Sequence, residues 1–190
     1  MSTIRMREVD PEADADLLHA WVTADRARFW GMQEETRDGV RDIYTYIGSQ
    51  PHLSAHFLEV AGEDRPLALL QTYDPAVEEI GRFYDRRPGD LGIHALLPDD
   101  PARSGRTPEL VAFAMEALFA RDGVRRIVLE PDVANEKSVA LAEALGAERG
   151  PRTRVVTSYL DKEAQFFFLT LEAWRATAER WATGGPSTSG

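Results

Sequence analysis

"DLGIHALLPDDPARSGRTPEL", residues 90–110, decides how the chain is read. Its first part belongs to a strand over about 89–97, where a run of apolar residues carries His94 in its middle. A loop rich in Pro and Asp, with one glycine, Gly105, follows and feeds a strongly amphipathic helix, "TPELVAFAMEALFARDG" (107–123), that stops at Gly123 as a C-cap. "RRIVLEP" (125–131) is then a buried strand, and this strand–loop–helix–strand unit lets the two strands pair in parallel. His94 poses the functional question. Imidazole is costly to bury without a partner and ordinarily titrates near neutrality, so it is either a satisfied core residue or a group placed to move a proton.

Outward from this unit, "TIRMREV" (3–9) alternates as an opening strand, and Asp10 with Pro11 caps a helix to about Thr23. "RDGVRDIYTYIGSQP" (37–51) places Val40, Ile43, Tyr44 and Ile47 at helical spacing. "HLSAHFLEVAGEDRPLALLQTY" (52–73) is a hairpin turning at 62–66. After the buried strand, "NEKSVALAEALG" (135–146) is a helix. "RVVTSYL" (154–160) and "AQFFFLTL" (164–171) form an antiparallel pair, and a helix over about 171–182 follows. The order β–α–α–β–β–β–α–β–α–β–β describes an α+β domain, a mixed and mostly antiparallel sheet flanked by helices. Residues 1–182 form a single domain, and "TGGPSTSG" (183–190) is a flexible tail without core-forming residues.

Composition bounds the function. A net charge of −10 argues against a nucleic-acid partner, which calls for a basic face, and suits a cationic small molecule. The absence of cysteine excludes thiol nucleophiles, disulfides and thiolate-ligated zinc. No apolar run approaches the ~20 residues of a membrane span, and the N-terminus is not a signal peptide, so the chain reads as cytoplasmic. His19, His52 and His56 have no carboxylate at suggestive spacing, and no metal-site pattern occurs.

Two features carry chemistry. The loop before the 107–123 helix offers backbone N–H groups and a helix N-terminus to a pyrophosphate, with Arg103 and Arg106 as charge-assisted contacts; alternatively it only caps the helix. Asp99 and Asp100 oppose a phosphate if they lie close. After the 125–131 strand, Asp132 and Asn135 are helix-capping residues by pattern.

Taken together, the glycine loop and "N-x-x-S-x-x-L-x-x-x-L-G" (135–146) resemble the GNAT superfamily of acyl-coenzyme-A-dependent N-acyltransferases, and the element order matches that fold along most of the chain. "LHAWVTADRARFWG" (18–31), "YDRRPGDLGIHALL" (84–97) and "LEPDVANEKS" (129–138) resemble the narrower group of siderophore acyltransferases that build hydroxamates. The resemblance implies His94 as catalytic base with Asp132 as its partner. It also implies a coenzyme A site at Arg103, Ser104, Gly105, Arg106, Thr107 and Asn135, and an acceptor site at Trp30, Gln71 and Tyr73. Asn135 either holds the pantetheine arm or caps the helix, and Trp30 is either an acceptor-site aromatic or core.

The loop departs from the family pattern. With Gly105 as first glycine, Ala102 stands where Arg or Gln is expected and Thr107 replaces the last small residue; the phosphate cradle is expected to survive through backbone groups, and whether affinity for coenzyme A falls is left open by the sequence. Gln71 stands about where the family tends to an acidic residue. The implied function is acetyl or succinyl transfer from acyl-CoA, without a metal, to an N-hydroxylated amine such as N-hydroxylysine or N-hydroxycadaverine, by a monomer or homodimer. The rivals are an aminoglycoside-type or protein N-terminal acetyltransferase and a catalytically silent acyl-CoA-binding domain.

Overall fold

Alternation and helical spacing in the sequence translate into seven strands and five helices in the computed structural model, which describes residues 3–184. In chain order they are β1 (Ile4–Glu8), α1 (Ala15–Val22), α2 (Arg37–Ser49), β2 (Leu53–Val60), β3 (Ala68–Tyr73), β4 (Asp90–Leu96), α3 (Thr107–Phe119), β5 (Arg126–Leu129), α4 (Glu136–Ala144), β6 (Glu148–Val156), β7 (Asp161–Thr170) and α5 (Leu171–Gly184). Hydrogen bonding orders the sheet β1-β2-β3-β4-β5-β7-β6. β4 and β5 pair in parallel, Asp90 opposite Arg126 and Gly92 opposite Val128, as the strand–loop–helix–strand reading requires. The fold is α+β with a mixed sheet.

The backbone packs as two compact units, one running to Tyr73 and taking in Ile93–Arg106, the other Asp74–Gly92 with the chain from Thr107 onward. In the first, β1, β2 and β3 form a meander, and the inward faces of α1 and α2 share a core of Leu18, Trp21, Val40, Tyr44, Phe57, Leu69 and Leu96. Val40 and Tyr44 lie one turn apart on α2, and burying each such side chain is worth about 1.5–3 kcal/mol. Thr36 caps α2 by accepting the Gly39 N–H at 3.1 Å. Asp10 does not cap α1. Its carboxylate accepts the Glu12 and Ala13 N–H groups and closes a turn, and the helix starts only at Ala15 with Asp14 as N-cap. Asp14 in turn takes a bidentate contact from Arg7, which also reaches Glu59 on β2.

In the second unit β6 begins at Glu148, six residues earlier than its alternation predicts. Gly150 and Pro151 hide the strand, and an edge strand tolerates the proline with a register shift between Arg149 and Arg152. The Phe166–Phe168 run is sheet core. Phe166 and Phe167 point to opposite faces, yet both are fully buried, because β7 lies between β5 and β6 with both of its faces covered there. Trp174 is buried and donates its indole N–H to Glu116 of α3 at 2.7 Å, and Trp181 stacks edge-on against it. α5 continues through Gly184, so the expected tail's first two residues are helical. The remainder, 185–190, lies outside the described residues.

Candidate active site

Strand β4 carries two polar side chains on one face, four residues apart, and the structure treats them differently. Asp90 is closed off. Its carboxylate accepts from Arg126 at 2.7 and 2.8 Å, from the Tyr84 hydroxyl at 3.0 Å and from the Arg87 N–H at 2.9 Å. Burial alone would push its carboxyl up, but Arg126, the Arg87 N–H and Tyr84 outweigh it and hold the group below the usual carboxylate range. Arg126 lies over the Phe168 ring at 4.3 Å. The chain enters this pair through Gly89, whose φ is +88° and where a Cβ would come within 2.8 Å of the Gly123 carbonyl oxygen, so a side chain does not fit.

His94 is half-buried among rings. Trp30 meets it edge-on at 6.2 Å between centroids, and Tyr73 lies at 5.3 Å with a 44° tilt. Trp30 arrives on the segment after α1, Tyr73 ends β3 and His94 lies near the end of β4, so three of the sequence-named residues come together in the first unit. Gln71, two residues before Tyr73 on the same face, donates its amide to the Tyr44 hydroxyl at 2.9 Å. Burial holds that phenol well above its ordinary range. Sequence reading placed Tyr44 on the buried face of a helix without a role. The available signal was its hydroxyl, since a buried phenol has to find partners.

The loop after β4 is an ordered turn. Asp100 accepts the Ala102 N–H and pairs with Arg65 at 3.0 Å, which offsets its opposition to a phosphate. Arg103 donates to the Pro98 carbonyl at 2.7 Å, and burial followed by the nearby Arg26 holds its guanidinium below its ordinary value. Arg106 lies 3.1 Å from Glu63. The Ser104 and Arg106 N–H groups donate to Pro101 and Arg103 carbonyls, and Gly105 sits between them at φ +74°. The chain then enters the first turn of α3 at Thr107, where N–H groups have no intrahelical acceptor.

In the second unit Asp132 follows β5. Its Oδ1 accepts the Ala134 N–H at 2.8 Å, while its carbonyl accepts the Asn135 N–H. Asn135 caps α4 by accepting from Ser138 at 3.3 Å, the capping alternative of the two sequence readings. Two residues before Asp132, the buried Glu130 receives Lys162, whose ammonium reaches its carbonyl at 2.6 Å, an arrangement with no sequence signal. His19 lies 3.2 Å from the Glu35 carbonyl. Among the described residues no group of three or more His, Cys, Asp or Glu side chains is placed to hold a metal ion, and no helix is long and apolar enough to cross a membrane.

The chain is similar to a lysine N-acyltransferase of Mycolicibacterium paratuberculosis, 30% identical over 138 residues that cover 70% of this chain and 60% of that protein. An N(6)-hydroxylysine O-acetyltransferase of Escherichia coli is 25% identical over 147 residues, 75% of this chain and 45% of that protein. The chain thus spans roughly half the length of these curated relatives. Among solved structures, an uncharacterised protein of Bacillus halodurans superimposes with a TM-score of 0.84 at 19% identity, covering 97% of this chain and 92% of that one. An aminoglycoside acetyltransferase in complex with coenzyme A follows at 0.74 and 23% identity, covering 93% and 99%. The acetyltransferase (GNAT) domain family matches residues 10–155, the stretch from before α1 to the end of β6, and the chain belongs to that family.

Proposed function

We propose that the protein is an acyl-CoA-dependent N-acyltransferase that converts an N-hydroxylated amine of the N-hydroxycadaverine or N-hydroxylysine type into a hydroxamate for a siderophore. The observation that carries this reading is the imidazole of His94 set against Trp30 and Tyr73 on β4. The named activities of the mycobacterial and Escherichia coli relatives, both on lysine or its hydroxylated form, support it.

In the proposed reaction the hydroxylamine nitrogen attacks the thioester carbon of acyl-CoA, the C–S bond breaks, and the nitrogen's proton passes to His94. Coenzyme A leaves as the thiolate and takes up a proton to become the free thiol. An imidazole suits this transfer because its ordinary pKa lies near working pH. A hydroxylamine is largely neutral there, so the base need not first strip an ammonium. Asp132 is assigned to orient the imidazole and to stabilise its charged form, a role that rests on the resemblance of "LEPDVANEKS".

Acyl-CoA, carrying acetyl or succinyl, is assigned to the loop Arg103–Thr107 and the first turn of α3. Backbone N–H groups and the helix dipole supply the phosphate contacts there, and Asn135 is assigned to the pantetheine arm in addition to its cap of α4. Arg103 and Arg106 serve only if they leave Pro98 and Glu63. Gln71 and Tyr73 complete the acceptor site with Trp30. The proposed setting is the cytoplasm.

The test is to incubate the protein with acetyl-CoA or succinyl-CoA and N-hydroxycadaverine, N6-hydroxylysine, spermidine or an aminoglycoside. Release of free thiol together with a coloured ferric hydroxamate is the expected outcome. Turnover with the last two acceptors alone would replace this reading.

A further inference from the structure

We infer that the β2–β3 turn sets the phosphate affinity of the loop after β4: Glu63 withholds Arg106 until a phosphate of coenzyme A displaces it, and Arg65 covers an Asp100 carboxylate that would otherwise repel that phosphate. The inference rests on the assignment of acyl-CoA to this loop.

The turn, residues 61–67, belongs to the same compact unit as the loop and is fixed by the sheet it joins. The Ala61 N–H donates to the Thr3 carbonyl at 2.9 Å, the Glu63 N–H to Val60 at 3.0 Å and the Leu67 N–H to Leu58 at 2.9 Å. Two of its side chains reach the loop. Glu63 lies 3.1 Å from Arg106 and Arg65 lies 3.0 Å from Asp100, so each charge on the turn meets its opposite on the loop. The start of the loop is held separately, by Arg26 on the Leu97 carbonyl at 2.6 Å and by Arg103 on the Pro98 carbonyl at 2.7 Å. The turn therefore acts on the loop's far half, where the phosphate is assigned.

The two contacts differ in kind. The Asp100 side chain is only 9% exposed, and both its oxygens are engaged, Oδ1 by the Ala102 N–H and Oδ2 by Arg65. Arg65 thus compensates a carboxylate that cannot turn out to water. Arg106 is less settled. Its Nη1 is buried beside Glu63 Oε1 yet makes no hydrogen bond among the described residues, so the pair is a charge contact without an aligned N–H. A phosphate presents oxygens that match the guanidinium fork and carries charge to rival a carboxylate, so it can win Arg106 from Glu63. Glu63 keeps the guanidinium beside the loop before binding and opposes binding by the strength of that contact. Glu63 and Arg65 are positioning residues, and they act with opposite sign.

Calorimetry with coenzyme A, and with pantetheine, which has no phosphate, tests this. Glu63→Gln should lower the coenzyme A Kd about threefold and Arg65→Gln should raise it about threefold, opposite shifts that loss of stability cannot produce. Asp64→Asn removes the same charge from an exposed neighbour and should leave the Kd within about 1.5-fold of the parent. With Arg106→Gln in place, Glu63→Gln should no longer tighten binding. With Asp100→Asn, which can keep the Ala102 contact, Arg65→Gln should no longer weaken it. Pantetheine should not distinguish the variants. In turnover the KM of acetyl-CoA should follow these shifts, while kcat and the acceptor's KM stay within about twofold of the parent.

A parent that binds coenzyme A no better than pantetheine overturns the cofactor assignment and the inference with it. With a parent that prefers coenzyme A, the inference alone falls on any of three results: an unchanged Kd or shifts of one sign in Glu63→Gln and Arg65→Gln, an Asp64→Asn shift as large as that of Glu63→Gln, or a Glu63→Gln gain that survives Arg106→Gln.

Discussion

Asp90 and His94 share one face of one strand, and each belongs to a different compact unit. Asp90 is saturated. Two guanidinium contacts, a phenol and a backbone N–H converge on a carboxylate that is 1% exposed. His94 meets the Trp30 ring edge-on and the Tyr73 ring at a tilt, and keeps partial access to solvent. The contrast is between a carboxylate closed into an ion pair and an imidazole set among aromatic rings, the group proposed as the base.

The largest expected effect breaks this comparison at His94. His94→Ala should lower kcat by about 10²- to 10⁴-fold while acyl-CoA still binds, and its melting temperature should stay close to the parent's. The parent's kcat/KM should rise with pH along a limb that the mutant lacks. Asp132→Asn should cost less, and the double mutant should be little worse than His94→Ala alone, because the carboxylate acts only through the imidazole. A stable His94→Ala protein with full activity would make His94 another Asp90.

Asp90→Asn is the converse. Removing one partner of a buried pair leaves Arg126 charged and uncompensated, at a cost of about 3–5 kcal/mol in denaturant unfolding, whereas whatever remains folded should turn over normally. The pair also fixes an acid limit. Because the folded-state pKa of Asp90 is depressed, its stabilisation is fully present above the unfolded-state value, near 3.9, and is lost as pH falls through the folded-state value. Acid unfolding of the parent should therefore show a component that Asp90→Asn lacks.

Trp30→Ala sharpens the comparison from the His94 side. If the indole, besides packing on the core and on His94, contacts the acceptor and not acyl-CoA, the acceptor's KM should rise by about tenfold or more and that of acyl-CoA should not follow. An equal rise in both would leave Trp30 with its packing role on Tyr44, Leu69 and Leu96 alone.

The place of His94 near the end of a strand was legible because a histidine interrupts a mostly apolar run, and the fold was legible because strand, loop, helix and strand follow one another in 90–131. The function of Asp90 was not. In sequence it reads as polarity near the histidine, and only the pairing of Asp90 with Arg126 across β4 and β5, with Tyr84 folding back, shows a structural ion pair. Tyr44 was hidden for a related reason: helical spacing states that a side chain faces inward and says nothing of what its hydroxyl meets there. The early residues of β6 were missed because Gly150 and Pro151 mimic a loop, and a pairing with β7 on one side suffices to make them a strand.

The smallest expected effect concerns the loop, where a saturated turn and an available site coexist. The Ser104 and Arg106 N–H groups are spent on carbonyls of their own turn, and Arg103 and Arg106 are held by Pro98 and Glu63. The pyrophosphate is proposed to sit on the Gly105 backbone and the first turn of α3. A side chain at Gly105 would meet nothing within 4 Å, so a substitution there acts through the φ of +74° and through charge, and not through a clash. Asn and Asp tolerate this region about equally well, which allows the two to be separated. Gly105→Asp should weaken acyl-CoA binding by at least about 1 kcal/mol in calorimetry, because it sets a negative charge at a helix N-terminus where phosphate should sit. Gly105→Asn should change it much less, and the gap between them should narrow as salt screens the added charge. Equal binding by parent, Asn and Asp forms would place coenzyme A away from this loop and leave the turn, like Asp90, a purely structural device.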